Sequence, residues 1–251
     1  MEINILDVFE AHKGIIAVAG AGGKKSTIYR LVTAHSGRIA VTSTVHTPRF
    51  RRRLNLTEVV CEEDNLLSRV AEAAKSSARI AYAHPSEKAA RLRGVSPDAV
   101  PAVHDLIGCD ATFVKADGAR LRLLKAPDHN QPVLPSGTTV LVSILSIHAI
   151  GKPLSDDVAH HAPEVARAMN INVGDKVTAE HLARLLSTDY GVLEGADHVE
   201  LIPVLNMVEN KEDRQLGRMV AEQALASSNR FNRVVLASMI QDNPVIEVIG
   251  Y

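Results

Sequence analysis

The stretch IIAVAGAGGKKST, residues 15–27, decides the reading of the fold. Ile15 to Ala19 form a short apolar run of the kind that makes a strand. The run breaks into Gly20-Ala21-Gly22-Gly23-Lys24, and a polar, helix-competent stretch opens with Lys25-Ser26-Thr27. Strand, glycine loop and helix start therefore follow one another directly. Glycines let a backbone approach an anion closely, and a helix N-terminus adds unpaired N–H groups and positive potential. Lys24 supplies a full charge at the same point. A polyphosphate suits this geometry best, with the N–H groups of Ala21 to Lys25 turned toward it. A plain glycine turn with its lysines in water is the alternative reading.

The rest of the chain repeats the alternation. Strand-like runs are expected at Arg38–Ser43, Arg79–Tyr82, Ala111–Ala116, Thr138–Ile144, Val199–Leu205 and Arg233–Ser238. Helical patterns are expected near Ser26–Ala34, Asp64–Lys75, Pro85–Leu92, Pro97–Ile107, Ala179–Leu186 (with Thr178 as N-cap) and Lys211–Ala226. Strands separated by helices imply an α/β fold with a mainly parallel sheet flanked by helices. The chain reads as one nucleotide-binding domain over 1–251. Residues 117–137 contain three prolines and little periodicity, and a loop of that length is usually functional.

Composition narrows the class. Of 251 residues 46% are hydrophobic and 23% charged, and the formal net charge is −1, so no global charge draws the chain to nucleic acid or an anionic membrane. Aromatic residues are only 3%, with no Trp, which argues against stacking platforms for single-stranded nucleic acid. The N-terminal apolar run is too short for a signal peptide and no stretch approaches a membrane span, so a cytoplasmic protein is expected. Cys61 and Cys109 lack metal spacing and are expected as buried thiols in a reducing compartment.

In parallel α/β sheets ligands gather at the carboxyl ends of strands. At the first such end the long phosphate-loop form G-x-x-x-x-G-K-[ST] is not met, because Val18 stands where its first glycine should be. The shorter G-x-x-G-K is met by Gly20, Gly23 and Lys24. It resembles the tight loop of Mur-type ligases, where G-x-x-G-K-T holds ATP. Lys25 stands where the Mg²⁺-binding hydroxyl normally follows, leaving Ser26 or Thr27 to supply it. The second strand ends in Thr42-Ser43-Thr44, whose hydroxyls suit a γ-phosphate or an attacking group, or are incidental to strand propensity. Arg49, Arg51, Arg52 and Arg53 follow, as an anion-closing loop or a solvated one. The run ATFVKA ends at Asp117-Gly118, an acidic strand tip of the sort that holds Mg²⁺, or merely a turn. Arg120, Arg122 and Lys125 lie just beyond it, to grip a second anionic group or balance the site, or as plain surface charge; Arg120 and Lys125 are expected to stabilise developing charge. Asn206 follows a strand where it can touch a base edge, but Met207 and Glu209 break the guanine-selective pattern. Ser238-Met239 ends another strand, a weak site for a base-contacting turn. The adjacent His160-His161 and the other histidines show no metal-binding pattern, and polar surface roles are expected for them.

The order of GAGGK (20–24), VTST (41–44), ADGAR (116–120), LKAP (124–127), QPVLP (131–135), GKPL (151–154) and Leu205-Asn206 resembles the YqeC-type selenium-dependent hydroxylase accessory proteins. The resemblance covers most of the chain. It implies a P-loop-like nucleotide-binding protein, using ATP or GTP with Mg²⁺, linked to maturation of selenium-dependent molybdenum hydroxylases. Such an enzyme or its cofactor-assembly proteins would be its partners. It departs from the family pattern at Lys25 for Thr, Lys115 for Glu and Gln131 for Glu. One metal-binding hydroxyl and two carboxylates are thereby lost and two lysines gained. Two outcomes are open. Either Ser26 and Asp117 still hold Mg²⁺ and an NTPase or phosphotransferase results, or the lysines partly replace the metal's charge and weaken hydrolysis. A nucleotide-dependent switch or scaffold, and a Mur-like ligase or small-molecule kinase, are the alternative functions.

Overall fold

A computed structural model describes residues 3–88, 90–127, 131–188, 191 and 198–250. Its strands are β1 (Gly14–Gly20), β2 (Ile39–Ser43), β3 (Thr47–Pro48), β4 (Thr57–Val60), β5 (Arg79–Ala83), β6 (Arg91–Leu92), β7 (Ala111–Lys115), β8 (Leu124–Lys125), β9 (Thr138–Ser146), β10 (Ala159–His160), β11 (Glu200–Asn206), β12 (Val234–Ala237) and β13 (Val245–Ile249). Its helices are α1 (Ile5–Val8), α2 (Lys24–Ala34), α3 (Glu63–Ala74), α4 (Ala99–Leu106), α5 (Ala162–Met169), α6 (Ala179–Ser187) and α7 (Lys211–Ser227).

Nine strands form one sheet in the order β13-β12-β11-β9-β1-β7-β2-β5-β4. All neighbours pair in parallel except β13, which runs antiparallel to β12 at the edge. The chain leaves β1 toward β2 on one side and returns through β7 to reach β9 on the other. β1 therefore lies at the point where the winding reverses, the place where parallel α/β sheets bind ligands.

Alternation along β1 explains why the sheet is covered on both faces. Ile16 and Val18 pack with Phe9, Ile28, Leu31 and Phe113 beneath α1 and α2. Ala17 and Ala19 face the opposite way, into a core with Leu141, Leu145, Leu182, Leu205 and Val220 from β9, α6, β11 and α7. Ile15 joins Leu66, Val70, Ile80, Tyr82 and Val103 under α3 and α4. Thr178 caps α6 in a reciprocal capping box with His181, as its position before an apolar-periodic run implies.

The structure corrects the sequence reading in three places. The expected helix at Pro85–Leu92 is a turn followed by β6, and Ala90 takes a left-handed φ of 60°. β6 pairs with β3, which buries Leu92 completely, so tertiary pairing overrides local helix propensity. The 117–137 segment is not wholly irregular, because β8 pairs in parallel with β10. Cys61 and Cys109 are half-buried rather than buried. His160 ends β10 and His161 caps α5 with φ 60°, so the pair straddles a strand–helix junction with its rings 4.2 Å apart between centroids. Among the described residues no helix is long and apolar enough to cross a membrane.

The glycine at the end of β1 is fixed by its neighbour strand. Gly20 has φ +90°, and an added Cβ would stand 2.2 Å from the Ile144 carbonyl oxygen, a backbone atom that cannot swing away. Gly20→Ala should therefore destabilise the protein by more than about 2 kcal/mol, read as a lower denaturant midpoint at unchanged slope. A midpoint equal to that of the unaltered protein would contradict this packing.

Candidate functional site

The site grows from the strand ends around β1. Ser43 and Val18 both register with Lys115, and Gly20 registers with Ile144, so the carboxyl ends of β2, β7, β1 and β9 lie side by side. Three consecutive constraints shape the loop that follows. Gly20, Gly22 and Gly23 all have positive φ, of 90°, 79° and 141°. A Cβ on Gly22 would meet Ser146 at 2.6 Å, and one on Gly23 would meet the Asn206 amide nitrogen at 2.1 Å. Only glycine fits at these positions.

The loop's hydrogen bonds define what is left for a ligand. The Gly20 N–H donates to Asp117 Oδ2 (2.8 Å), and the Ala21 N–H donates to the Ile144 carbonyl (2.7 Å). Ala21 thus spends its donor on β9. The Thr27 N–H closes the first helical turn on the Gly23 carbonyl (3.0 Å), and no side chain caps α2. Among the described residues the N–H groups of Gly22, Gly23, Lys24, Lys25 and Ser26 find no acceptor. These five donors sit at the positive end of an eleven-residue helix.

Lys24 is folded back rather than extended into the loop. Its ammonium donates to the Gly20 carbonyl and lies 2.9 Å from Asp117 Oδ1, with both side chains buried. That approach is an ion pair without hydrogen-bond alignment, so Oδ1 is matched in charge yet makes no hydrogen bond. Lys125 reaches the same carboxylate from the other side, 3.6 Å from Oδ2. Lys125 also donates to the Gly118 carbonyl (2.9 Å) and to Gln131 Oε1 (2.7 Å), and Gln131 Oε1 accepts the Gly118 N–H as well (2.8 Å). Lys115 donates to the His46 carbonyl (3.1 Å) at the end of the neighbouring strand. Burial lowers the Lys24 pKa against the opposing pull of Asp117. Burial, then repulsion from Lys24, brings Lys115 down to about 7. Lys25 is also lowered, by burial and then by Arg51, and both cations lie over the Tyr29 ring at 5.8 and 5.6 Å.

The other expected residues divide by what holds them. Ser26 is exposed on the first turn of α2. Thr27 is buried, its hydroxyl donating to the Gly23 carbonyl. The Thr42 hydroxyl donates to the Tyr82 carbonyl (2.8 Å) and ties β2 to β5. The Thr44 hydroxyl donates to the Val133 carbonyl (2.7 Å). Asn206 clamps the loop: its amide donates to the Gly22 carbonyl (2.7 Å) while its oxygen accepts the Met239 N–H (3.3 Å). Arg120 is exposed at a turn where it and Leu121 have φ of 42° and 64°. In the arginine run, Arg49 pairs with Glu58 at 2.7 Å. His160 registers with Lys125 across β10 and β8, and burial, His161, Lys125 and Arg120 hold it down near 4.

The donor set suits an anion better than a metal. Both oxygens of Asp117 are already answered by cations or an N–H group. Among the described residues no cluster of three His, Cys, Asp or Glu side chains could hold a metal ion. Lys115 and Gln131 carry much of this arrangement. Their signal in the sequence is positional: Lys115 shares the alternation of Asp117 at the same strand tip, and Gln131 precedes the proline of QPVLP.

Fold and site together define an α/β protein with a glycine loop and a lysine-rich cluster at the switch point of a mostly parallel sheet. Comparison with known proteins gives the family. The model described as YqeC protein matches residues 16–163, more than half of the chain, and the chain belongs to the YqeC family. It is 26% identical over 205 residues to a protein of Escherichia coli (strain K12) described as "Uncharacterized protein YqeC", covering 78% of each chain.

The depressed Lys115 makes a pH-dependent contribution whose sign can be worked out. The unfolded chain keeps this proton up to about 10.5, whereas the folded chain releases it near 7. Between those values the unfolded state binds more protons, so native stability rises with pH. Lys115→Met should therefore stabilise the protein most below about pH 7, with the difference from the unaltered protein fading toward pH 10.5. Urea unfolding of both proteins across this range checks it, and a difference independent of pH would contradict it.

Proposed function

We propose that this protein binds a nucleoside triphosphate, ATP or GTP, with its phosphates in the Gly20–Lys24 loop. The observation that carries the proposal is the set of five unpartnered N–H groups from Gly22 to Ser26 beside Lys24, at the switch point of the sheet. On this reading the loop is P-loop-like, in the tight form of the Mur-type ligases, within one nucleotide-binding domain. The Lys24 ammonium leaves Asp117 for the phosphates, and Lys125 keeps the carboxylate neutralised. Asn206, bridging the loop and the Met239 turn, holds the loop open at the side where a base would lie.

The biological role we infer is that of an accessory protein in maturation of a molybdenum hydroxylase, selenium-dependent in the family pattern. Support for it comes from family membership and the order of motifs along the chain. The partner would be the hydroxylase or its cofactor-assembly proteins, in the cytoplasm.

Two modes of action follow from the site. Turnover by hydrolysis or by phosphoryl or nucleotidyl transfer would use Arg120 and Lys125 against developing charge. A nucleotide-dependent switch with little turnover is favoured by a specific observation, the engagement of Asp117 by two lysines. In that mode the triphosphate orders the arginine-bearing segment after β2 through Lys25 and Lys115.

Lys24→Ala is the direct test. Titration of ATP and GTP into the unaltered protein should show saturable binding of at least one nucleotide, and the variant should lose it. Unchanged affinity in Lys24→Ala would overturn the assignment of the loop.

A further inference from the structure

The glycine loop is surrounded by more positive charge than a loop that works with a metal requires. Asp117 faces Lys24 at 2.9 Å and Lys125 at 3.6 Å, and Lys115 stands two residues before it on the same strand tip. Lys25 occupies the first turn of α2, directly after Lys24. Three ammonium groups, of Lys24, Lys115 and Lys125, thus gather where one carboxylate is present, and Ser26 on the first turn of α2 is exposed.

A divalent cation entering this space would meet like charges before it met a ligand. Its carboxylate ligand would have to be taken from two lysines and a backbone N–H, each a partner already in place. A polyphosphate meets the opposite situation. It finds five unpaired N–H donors and the buried ammonium of Lys24 beside them. When Lys24 turns to the phosphates, Lys125 remains on Asp117, so the move does not expose a bare carboxylate to the ligand.

We propose that this loop binds its triphosphate without a divalent metal, Lys115 and Lys125 taking the place of the metal's charge. This rests on the nucleotide reading above and goes beyond it by fixing the ionic form of the ligand. The N–H groups hold the phosphate oxygens, Lys24 bridges them to Gly20, and Lys115 neutralises the side facing β2. Lys125 cancels Asp117, which would otherwise repel the ligand.

The test is calorimetric titration of the full chain with ATP and with GTP, each in excess MgCl₂ and in excess EDTA. For the unaltered protein, affinity in EDTA is expected to lie within about threefold of that in magnesium. Lys115→Glu, which places a carboxylate at the tip of β7, should weaken binding in EDTA by about tenfold or more and recover part of it when magnesium is added. Lys115→Gln, a milder change, should weaken binding equally in both buffers. Circular dichroism confirms that each variant is folded, and the magnesium-against-EDTA comparison on the unaltered protein needs no variant.

Binding by the unaltered protein only when magnesium is present would overturn the metal-free site while leaving the nucleotide reading intact. An affinity in EDTA unaffected by both Lys115 substitutions would overturn the role of Lys115. Binding of neither nucleotide in either buffer would remove the nucleotide reading and this inference with it.

Discussion

The carboxylate of Asp117 is the group on which the site depends. It stands at the tip of β7, accepts the N–H of Gly20 from the adjacent strand, and draws Lys24 and Lys125 inward. Without it, the last residue of β1 would lose its partner and two buried ammonium groups would face one another. Removing one member of a buried charge pair costs about 3–5 kcal/mol, because the other is left uncompensated. The glycine loop is thus held from three sides: by Asp117 beneath, by the Ile144 carbonyl on β9, and by Asn206 from β11. Loop geometry follows from the sheet order, because these anchors come from β7 and β9, which flank β1, and from β11, one strand further out.

The glycine loop draws its shape and its charge from different residues. Shape is supplied by glycines whose positive φ no other residue tolerates against Ile144, Ser146 and Asn206. Positive charge is supplied by lysines on strands and helix, held in ion pairs and by burial. On the nucleotide reading proposed above, a preorganised site of this kind would spend little on rearrangement. Lys24 alone would rotate, exchanging a carboxylate for a phosphate.

The sequence makes the scaffold legible and leaves much of the site hidden, for physical reasons. The β1–loop–α2 unit is local: an apolar run, obligatory glycines and a helix start lie within thirteen residues and each signals itself. The parallel sheet follows from β-branched runs separated by helical patterns, and α6 from its Thr178 cap. Side-chain partners are different. Thr42 and Thr44 look like phosphate ligands until the Tyr82 and Val133 carbonyls, distant in sequence, are seen to accept their hydroxyls. Asn206 looks like a base contact until Gly22 is found under its amide. Ala21 looks like a phosphate donor until β9 takes its N–H. β4 is hard to see because its burial is slight, with Val59 alone buried, and β6 because a two-residue pairing outweighs a helix-like stretch.

A crystal structure of the protein with a non-hydrolysable triphosphate analogue tests the central claim most directly. The expected result is a phosphate held by the N–H groups of Gly22 to Ser26, with Lys24 moved from Asp117 onto its oxygens and Lys125 still beside the carboxylate. An analogue bound elsewhere, with the Lys24–Asp117 pair intact and the loop empty, would contradict it.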